Sequence, residues 1–403
     1  MRERDGASGP GTLLRMAIFG ALVGVACGAA SALFLALLAS ATAFREAHES
    51  IVYALPIAGL AIGAVYERWG APIRGGTDLA IDTAARGLGR LPLRMAPMVL
   101  LGTVATHLFG GSAGREGTAV QIGASLADDV AHRLGLAKEM RRQLVIAGIA
   151  GGFGAVFGTP FAGALFALEV TSAKRDDRAS AVPAVVASLV GDIVCRALGA
   201  AHAAYPTIAP LALRPSTVAK AALVGSGMAL ATIAFVELTE RLTRALQSSL
   251  PRLPIRMFVG GVAVVAMWKA IGTSEYLGLG LPTIARAFHD PTLPAHTFAA
   301  KLVFTSVTLA SGFVGGEVTP LFFVGATLGS VLARWLGLPI ELGAGIGLAA
   351  VFGAAAKTPI ALTIMAVELL GLGVLPYAAV ACAIAHLGTG DRGIYRSQRA
   401  LGR

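Results

Sequence analysis

The sequence predicts an all-α polytopic membrane protein built from two related halves, with broken and re-entrant helices. Three observations carry that reading. The 403 residues are 55% hydrophobic and 14% charged, with a mean hydropathy of +0.72, and the apolar residues fall into runs long enough to span a bilayer, about 20 residues each. The same motifs recur twice in the same order. Glycine is abundant, at 51 residues, which suits close helix packing and irregular backbone buried in a bundle.

In chain order, apolar runs lie near residues 16–43, 51–66, 95–110, 144–172, 180–200, 217–238, 255–272, 299–330, 341–375 and 376–387. Several exceed one span, so each holds two or more helices, some of them short or broken. The run 17–43 resembles 221–236, and each leads into a charged amphipathic end, Phe44-Arg-Glu-Ala-His and Glu237-Leu-Thr-Glu-Arg. Pro56-Ile-Ala-Gly-Leu-Ala matches Met257-Phe-Val-Gly-Gly-Val, and glycine-rich turns follow at Gly75-Gly-Thr-Asp-Leu and Gly278-Leu-Gly-Leu-Pro282. Gly111-Ser-Ala-Gly-Arg-Glu116 aligns with Gly312-Phe-Val-Gly-Gly-Glu317, and Gly123-Ala124 answers Gly325-Ala326. The strongest pairing sets Gly152–Glu169 against Val351–Glu368, where Phe-Gly, Thr-Pro and the closing glutamate coincide without a gap. Residues 1–212 and 213–403 therefore read as one duplicated unit, forming a single integral membrane domain with no soluble regulatory domain. Similarity alone leaves parallel and inverted arrangements of the halves open.

The net charge of +10 has two readings, an electropositive path for anions or the basic bias of cytoplasmic loops, and the loop bias accounts for most of it. Arg2, Arg4 and Arg15 crowd one end of the chain; Arg392, Arg396, Arg399 and Arg403 crowd the other. That places both termini in the cytoplasm of a multi-pass cell (inner) membrane protein. The basic segment Arg133–Arg142 and the cluster Lys174-Arg-Asp-Asp-Arg178 do not decide sidedness. Cys27, Cys195 and Cys382 stand singly in apolar runs, with packing as their role and no metal or disulfide spacing. No cleavable signal pattern opens the chain, and nothing points to a cofactor or to nucleic acid.

Chemistry concentrates in Gly110-Gly-Ser-Ala-Gly-Arg-Glu-Gly-Thr-Ala-Val-Gln-Ile-Gly123, an arginine and a glutamate inside an apolar region. A carboxylate at the bilayer centre costs roughly 2.5–3.5 kcal/mol or more unless it faces protein or water. Paired, glycine- or proline-interrupted segments at corresponding places in two halves point to a transporter's binding site. Thr159-Pro160, Thr358-Pro359 and Thr319-Pro320 read as capped helix starts, and Arg115–Ala119 opens a helix as well. Free N–H groups at such starts hold an anion without a full countercharge. Glu116 fits as a carboxylate that occupies the anion's place and leaves when protonated. Glu317, its partner in the repeat, reads as either a second functional acid or a helix-start anchor. Glu169 and Glu368, at the ends of apolar helices, read as structural; Asp192 and Glu237 take no assigned role. Gly110-Gly-Ser-Ala-Gly114 also fits the Gly-x-Ser-x-Gly hydrolase elbow, with His107 nearby, but that elbow needs a strand–turn–helix and a third partner, so the chain does not read as an enzyme.

The run Gly114-Arg-Glu-Gly-Thr-Ala-Val-Gln-Ile-Gly123 resembles the signature of the CLC family of chloride channels and transporters, with Thr118 where proline is usual. Phe157-Gly-Thr-Pro-Phe-Ala-Gly-Ala-Leu-Phe-Ala-Leu-Glu169 and the internal repeat extend the resemblance over nearly the whole chain. The resemblance implies an inverted repeat, a homodimer with one pore per subunit, and Glu116 as the gating glutamate. Gly315-Gly-Glu-Val-Thr-Pro320 and Gly393-Ile-Tyr-Arg-Ser-Gln398 look like the fluoride/proton antiporter branch, in which Thr77 stands where Asn or Met is common. Antiporters of chloride often carry a second acid after the helix-ending glutamate, where this chain has Val170.

What the resemblance implies for the site is Glu116 coupling protons, with Thr77, Gly114, Arg115, Gly117, Val318, Thr319 and Tyr395 around the anion and Glu317 as a possible second acid. The expected function is fluoride export in exchange for protons. The alternative is a CLC-type chloride channel or chloride/proton antiporter. Fluoride is small and strongly hydrated, so hydroxyl donors such as Thr77, Thr319 and Tyr395 suit it.

Overall fold

The computed structural model describes residues 10–87, 89–171 and 178–401, without the side chains of residues 10, 178 and 399–401. Of the charges weighed above, Arg2, Arg4, Arg403, Lys174, Arg175, Asp176, Asp177 and the side chains of Arg178 and Arg399 lie outside the described residues. The described residues are helical, with no strand. Before residue 213 come α1 (Pro10–Ala47), α2 (Leu55–Trp69), α3 (Gly76–Arg86), α4 (Met95–Leu108), α5 (Glu116–Arg133), α6 (Lys138–Phe157), α7 (Pro160–Val170) and α8 (Arg178–Ala197). After it come α9 (Pro215–Ser249), α10 (Leu253–Ile271), α11 (Leu281–Arg286), α12 (Thr297–Ala310), α13 (Val318–Leu336), α14 (Ile340–Ala355), α15 (Pro359–Leu370), α16 (Leu375–Gly388) and the short α17 (Arg396–Leu401).

The long apolar runs divide as expected: 144–172 holds most of α6 and all of α7, 299–330 most of α12 and of α13, and 341–375 nearly all of α14 and all of α15. Six segments among the described residues are long and apolar enough to cross a membrane. Helices such as α7, with 11 residues, and α15, with 12, rise only about 16–18 Å at 1.5 Å per residue. They are too short to span ~30 Å of hydrocarbon alone, so their ends lie inside the protein, as broken helices do.

Glycine sets the closest crossings. A Cβ at Gly123 on α5 would collide with the carbonyl of Gly148 on α6, and one at Gly325 on α13 with the carbonyl of Gly347 on α14. The two halves thus use matched glycines for matched helix contacts. Where the halves meet, Phe153 of α6 and Phe352 of α14, paired in the sequence repeat, stack with ring centroids 6.4 Å apart.

The ends of α7 and α15 give the relative direction of the halves. Glu169, at the end of α7, accepts from Ile360 N (3.2 Å) and Ala361 N (2.6 Å) at the start of α15. Glu368, at the end of α15, accepts from Phe161 N (3.0 Å) and Ala162 N (2.7 Å) at the start of α7. Each helix end meets the other's beginning, so the corresponding helices run antiparallel. That is an inverted repeat.

The same contacts correct one expectation. Thr159 and Thr358 make no capping hydrogen bond, and their hydroxyls are buried without a partner. The glutamates of the opposite half take those amides instead, which removes the starts of α7 and α15 from the anion site.

Candidate functional site

Two backbone segments that break helical geometry come together at the centre. Gly114 N donates to Gly316 O (2.6 Å) and Gly316 N to Gly114 O (2.8 Å), an isolated antiparallel bridge between the halves. Each bridged glycine is followed by one residue and then a helix, α5 from Glu116 and α13 from Val318. This shifts the register read from sequence by one. Glu116 corresponds to Val318, not to Glu317, and Glu317 corresponds to Arg115. The Gly123/Gly325 pairing already carried the structural register, whereas the match of the two glutamates followed residue type. Thr118, hydrogen-bonded to Thr103 (2.6 Å), corresponds to Pro320.

Glu116 is fully buried, and its carboxylate lies across the start of α13. Oε2 accepts from Thr319 N (3.1 Å) and from Arg115 N (3.1 Å); Oε1 accepts a short hydrogen bond from the Thr319 hydroxyl. Arg115 Nε stands 3.5 Å from Oε1 and makes no hydrogen bond in the described structure. A carboxylate here is stabilised by two backbone donors, one hydroxyl and the positive end of α13. A bound anion would need that same set.

Thr77 and Glu317 approach Gly117. A Cβ added there would lie 3.2 Å from Gly316 Cα, 3.4 Å from Thr77 Oγ1 and 3.9 Å from Glu317 Oε2. Hydrogen in place of a methyl keeps this side of the site open. Thr77, on the first turn of α3, accepts from Gln121 Nε2 (3.2 Å), so its own proton remains available to a ligand. Val318, Thr319 and Tyr395 are buried, and Glu317, Asp78 and Glu116 are the charges that act on the Tyr395 phenol. Asp78 holds the start of α17 by accepting from Ser397 N (2.9 Å) and Ser397 Oγ (2.8 Å), which fixes the chain just past Tyr395. Gly114 differs from the rest: its N–H is committed to the bridge.

Sequence reasoning missed Gln121 and Asp78. Gln121 lies one turn past Gly117 inside the signature run, and Asp78 directly follows Thr77. Helical spacing from residues already singled out was the available signal.

Two cavities are lined by the residues that follow the bridged glycines. One of ≈ 580 Å³ is lined by Arg115, Arg45, His202 and the segment from Ser274 to Thr283. The other, of ≈ 100 Å³, is lined by Glu317, Thr239, Glu240, Thr243 and Arg396. The hydrolase elbow is absent: Ser112 Oγ contacts Thr305 Oγ1 (2.9 Å), and both ring nitrogens of His107 face backbone carbonyls. No group of three or more potential metal ligands occurs among the described residues, and the three cysteines are free and buried.

A buried carboxylate seated on helix-start amides in an inverted helical repeat is the arrangement of a membrane protein that passes ions. Comparison with known proteins narrows the class. The chain belongs to the voltage gated chloride channel family, whose sequence model matches residues 58–389; the family is one of channels and transporters rather than enzymes. A chloride/fluoride channel protein of Pseudomonas syringae pv. tomato is 44% identical over 384 residues, covering 94% of this chain and 85% of that protein. The crystal structure of a CLC-type fluoride/proton antiporter superposes with a TM-score of 0.93 at 32% identity, over 97% of this chain and 99% of the other. A slow cyanobacterial Cl-/H+ antiporter shares the fold, with a TM-score of 0.83 at 16% identity over 96% and 98% of the two chains.

Proposed function

We propose that this protein is a fluoride/proton antiporter in which Glu116 exchanges places with the anion. The observation that carries the proposal is the seat of the Glu116 carboxylate on Thr319 N and the Thr319 hydroxyl. An anion entering that seat displaces the carboxylate, and protonation of the carboxylate abolishes its claim on the amides. Ion and proton therefore alternate at one place. The relative named for chloride and fluoride and the similar fluoride/proton antiporter support the choice of ion.

In this reading Thr319, Thr77 and Tyr395 supply hydroxyls to a small anion, Val318 and Gly117 shape its seat, Gly114 holds the two helix starts together, and Arg115 draws anions from the larger cavity. Glu317 serves as the second acid. Residues 1–212 and 213–403 act as the two inverted units of one transport domain, in a homodimer in the inner cell membrane with both termini cytoplasmic.

The test is transport by purified protein in liposomes, followed with fluoride and pH electrodes. A proton gradient is expected to drive fluoride uphill with strong preference over chloride, and Glu116→Gln is expected to abolish coupling. Equal chloride and fluoride flux would overturn the choice of ion, and flux indifferent to the pH gradient would identify a channel.

A further inference from the structure

We infer that Gln121 sets the preference for fluoride over chloride, because its carboxamide leaves the Thr77 hydroxyl proton to the anion. The inference rests on the proposed fluoride site, in which Thr77 faces the ion. Gln121 takes no part in the exchange of Glu116 with that ion. It is a positioning residue that acts through Thr77.

The relation follows from where α5 puts two residues. Gly117 and Gln121 stand one helical turn apart, so they share a face of the helix. Thr77, in the first turn of α3, meets that face at both points. Its Oγ1 lies 3.4 Å from where a Gly117 Cβ would stand, and it accepts a hydrogen bond from Gln121 Nε2 (3.2 Å). The first contact puts the hydroxyl at the start of α5, beside the residue that follows Glu116. The second determines what the hydroxyl can do there.

A hydroxyl carries one proton and two lone pairs, whereas an amide nitrogen only donates. With Gln121 Nε2 against Thr77 Oγ1, one lone pair is taken and the proton points elsewhere. Among the described residues the Thr77 hydroxyl donates to no protein acceptor, so its proton is unspent. An acceptor in place of Nε2 would take that proton and leave only lone pairs toward an anion, which they repel. Gln121 is buried, and its carboxamide packs against Gly76, whose Cβ position lies 3.7 Å from Nε2 and 3.8 Å from Oε1. The donor is thus held where it meets Thr77.

Selectivity follows from ion size. Fluoride, the smaller ion, approaches a donor more closely, and the attraction grows as the separation falls. A donor gained or lost therefore changes fluoride binding more than chloride binding. The Thr319 hydroxyl is engaged by Glu116 while the carboxylate is seated. Thr77 is outside that competition, and Gln121 keeps it so.

The test measures fluoride and chloride binding by calorimetry on the full-length protein carrying Glu116→Gln, in which the carboxylate no longer competes. Gln121→Glu keeps the shape and replaces the donor with an acceptor. Its added charge repels both monovalent anions, so the ratio of fluoride to chloride affinity is read rather than either affinity alone. That ratio is expected to fall about tenfold in Gln121→Glu and in Thr77→Val. Adding Gln121→Glu to Thr77→Val is expected to lower it less than about twofold further, since both act on one donor. Gln121→Met removes the donor without adding an acceptor; it is expected to lower the ratio about threefold, and not at all once Thr77→Val is present. It carries the test should Gln121→Glu fail to fold. A ratio unchanged in Gln121→Glu or in Thr77→Val overturns the inference, as does an equal fall when Gln121 is changed in the Thr77→Val background. Equal affinity for the two anions before Gln121 is changed overturns the choice of fluoride itself, a result distinct from these.

Discussion

Arg115 and Glu317 are symmetry equivalents of opposite charge: each directly follows a glycine of the Gly114–Gly316 bridge and precedes the helix that begins at the site. Gene-duplicated halves would by default give both positions the same residue. The inequality makes a nearly symmetric scaffold directional, with a guanidinium lining one cavity and a carboxylate lining the other. The Glu116 carboxylate leans the same way, across the start of the opposite half's helix α13. The charges beside the bridge are thus departures from the repeat, on a frame the repeat provides.

For Arg115 the expected effect is on rate. Arg115→Gln removes the cation at the larger cavity and should slow anion entry from that face about tenfold at low ionic strength. The difference should shrink toward molar salt, where the Debye length is ~3 Å. Initial fluoride uptake across a salt series in oriented liposomes checks this; a deficit independent of salt would mean that Arg115 acts on the structure of the seat instead.

Thr319 should matter to affinity. Its hydroxyl donates to the Glu116 carboxylate, and hydrogen bonds to charged groups contribute about 1.5–3 kcal/mol. In the Glu116→Gln background, where the carboxylate no longer competes, Thr319→Val is expected to weaken fluoride binding by roughly 10- to 100-fold. Thr319→Ser should restore most of it. Calorimetric titration of the paired variants decides, and unchanged binding would place the anion away from the start of α13.

The broad fold was legible because its causes are written locally. Spans show as apolar runs, helix starts as Thr-Pro or Gly-rich breaks, and duplication as motif order. The helix-ending acids Glu169 and Glu368 were likewise readable as structural. What escaped was relational. Thr159 and Thr358 looked like caps because residue type and spacing fit, yet the amides they precede are bound by acids about 200 positions away. The pairing of Glu116 with Glu317 failed for a similar reason: similarity aligns like with like, whereas backbone hydrogen bonds align Glu116 with Val318. Gln121 and Asp78 were overlooked because their importance comes from partners on other helices.

A buried ion pair beneath the site gives a stability prediction. Asp128 of α5 is fully buried and accepts from Leu91 N (2.8 Å) and from Arg141 Nε (2.5 Å) and Nη2 (3.1 Å). It ties the loop after α3 and the start of α6 to α5. Asp128→Ala leaves the Arg141 charge largely enclosed and should cost about 3–5 kcal/mol. Replacing both residues with apolar side chains, Asp128→Leu with Arg141→Met, should recover part of that loss. Thermal unfolding in detergent measures it, and a double variant no better than Asp128→Ala would show that the bond to Leu91 N outweighs the ion pair.

The reciprocal caps on α7 and α15 commit those helix starts to structure. Glu169→Ala strips the acceptor from Ile360 N and Ala361 N, and Glu368→Ala does the same for Phe161 N and Ala162 N. Unpaired amides in this setting cost about 1–3 kcal/mol, so each variant should unfold at lower temperature. The caps sit at opposite ends of helices about 16–18 Å long, far enough apart for the two losses to add within ~0.5 kcal/mol. Fluoride affinity should stay within twofold in all three proteins, because the proposed anion seat uses the starts of α5 and α13. The informative measurement is unfolding and fluoride titration on the same samples. Affinity falling tenfold or more in a protein that remains folded would bring the start of α7 or α15 back into the ion path, and a double variant much less destabilised than the sum would mean that the two caps fail as one unit.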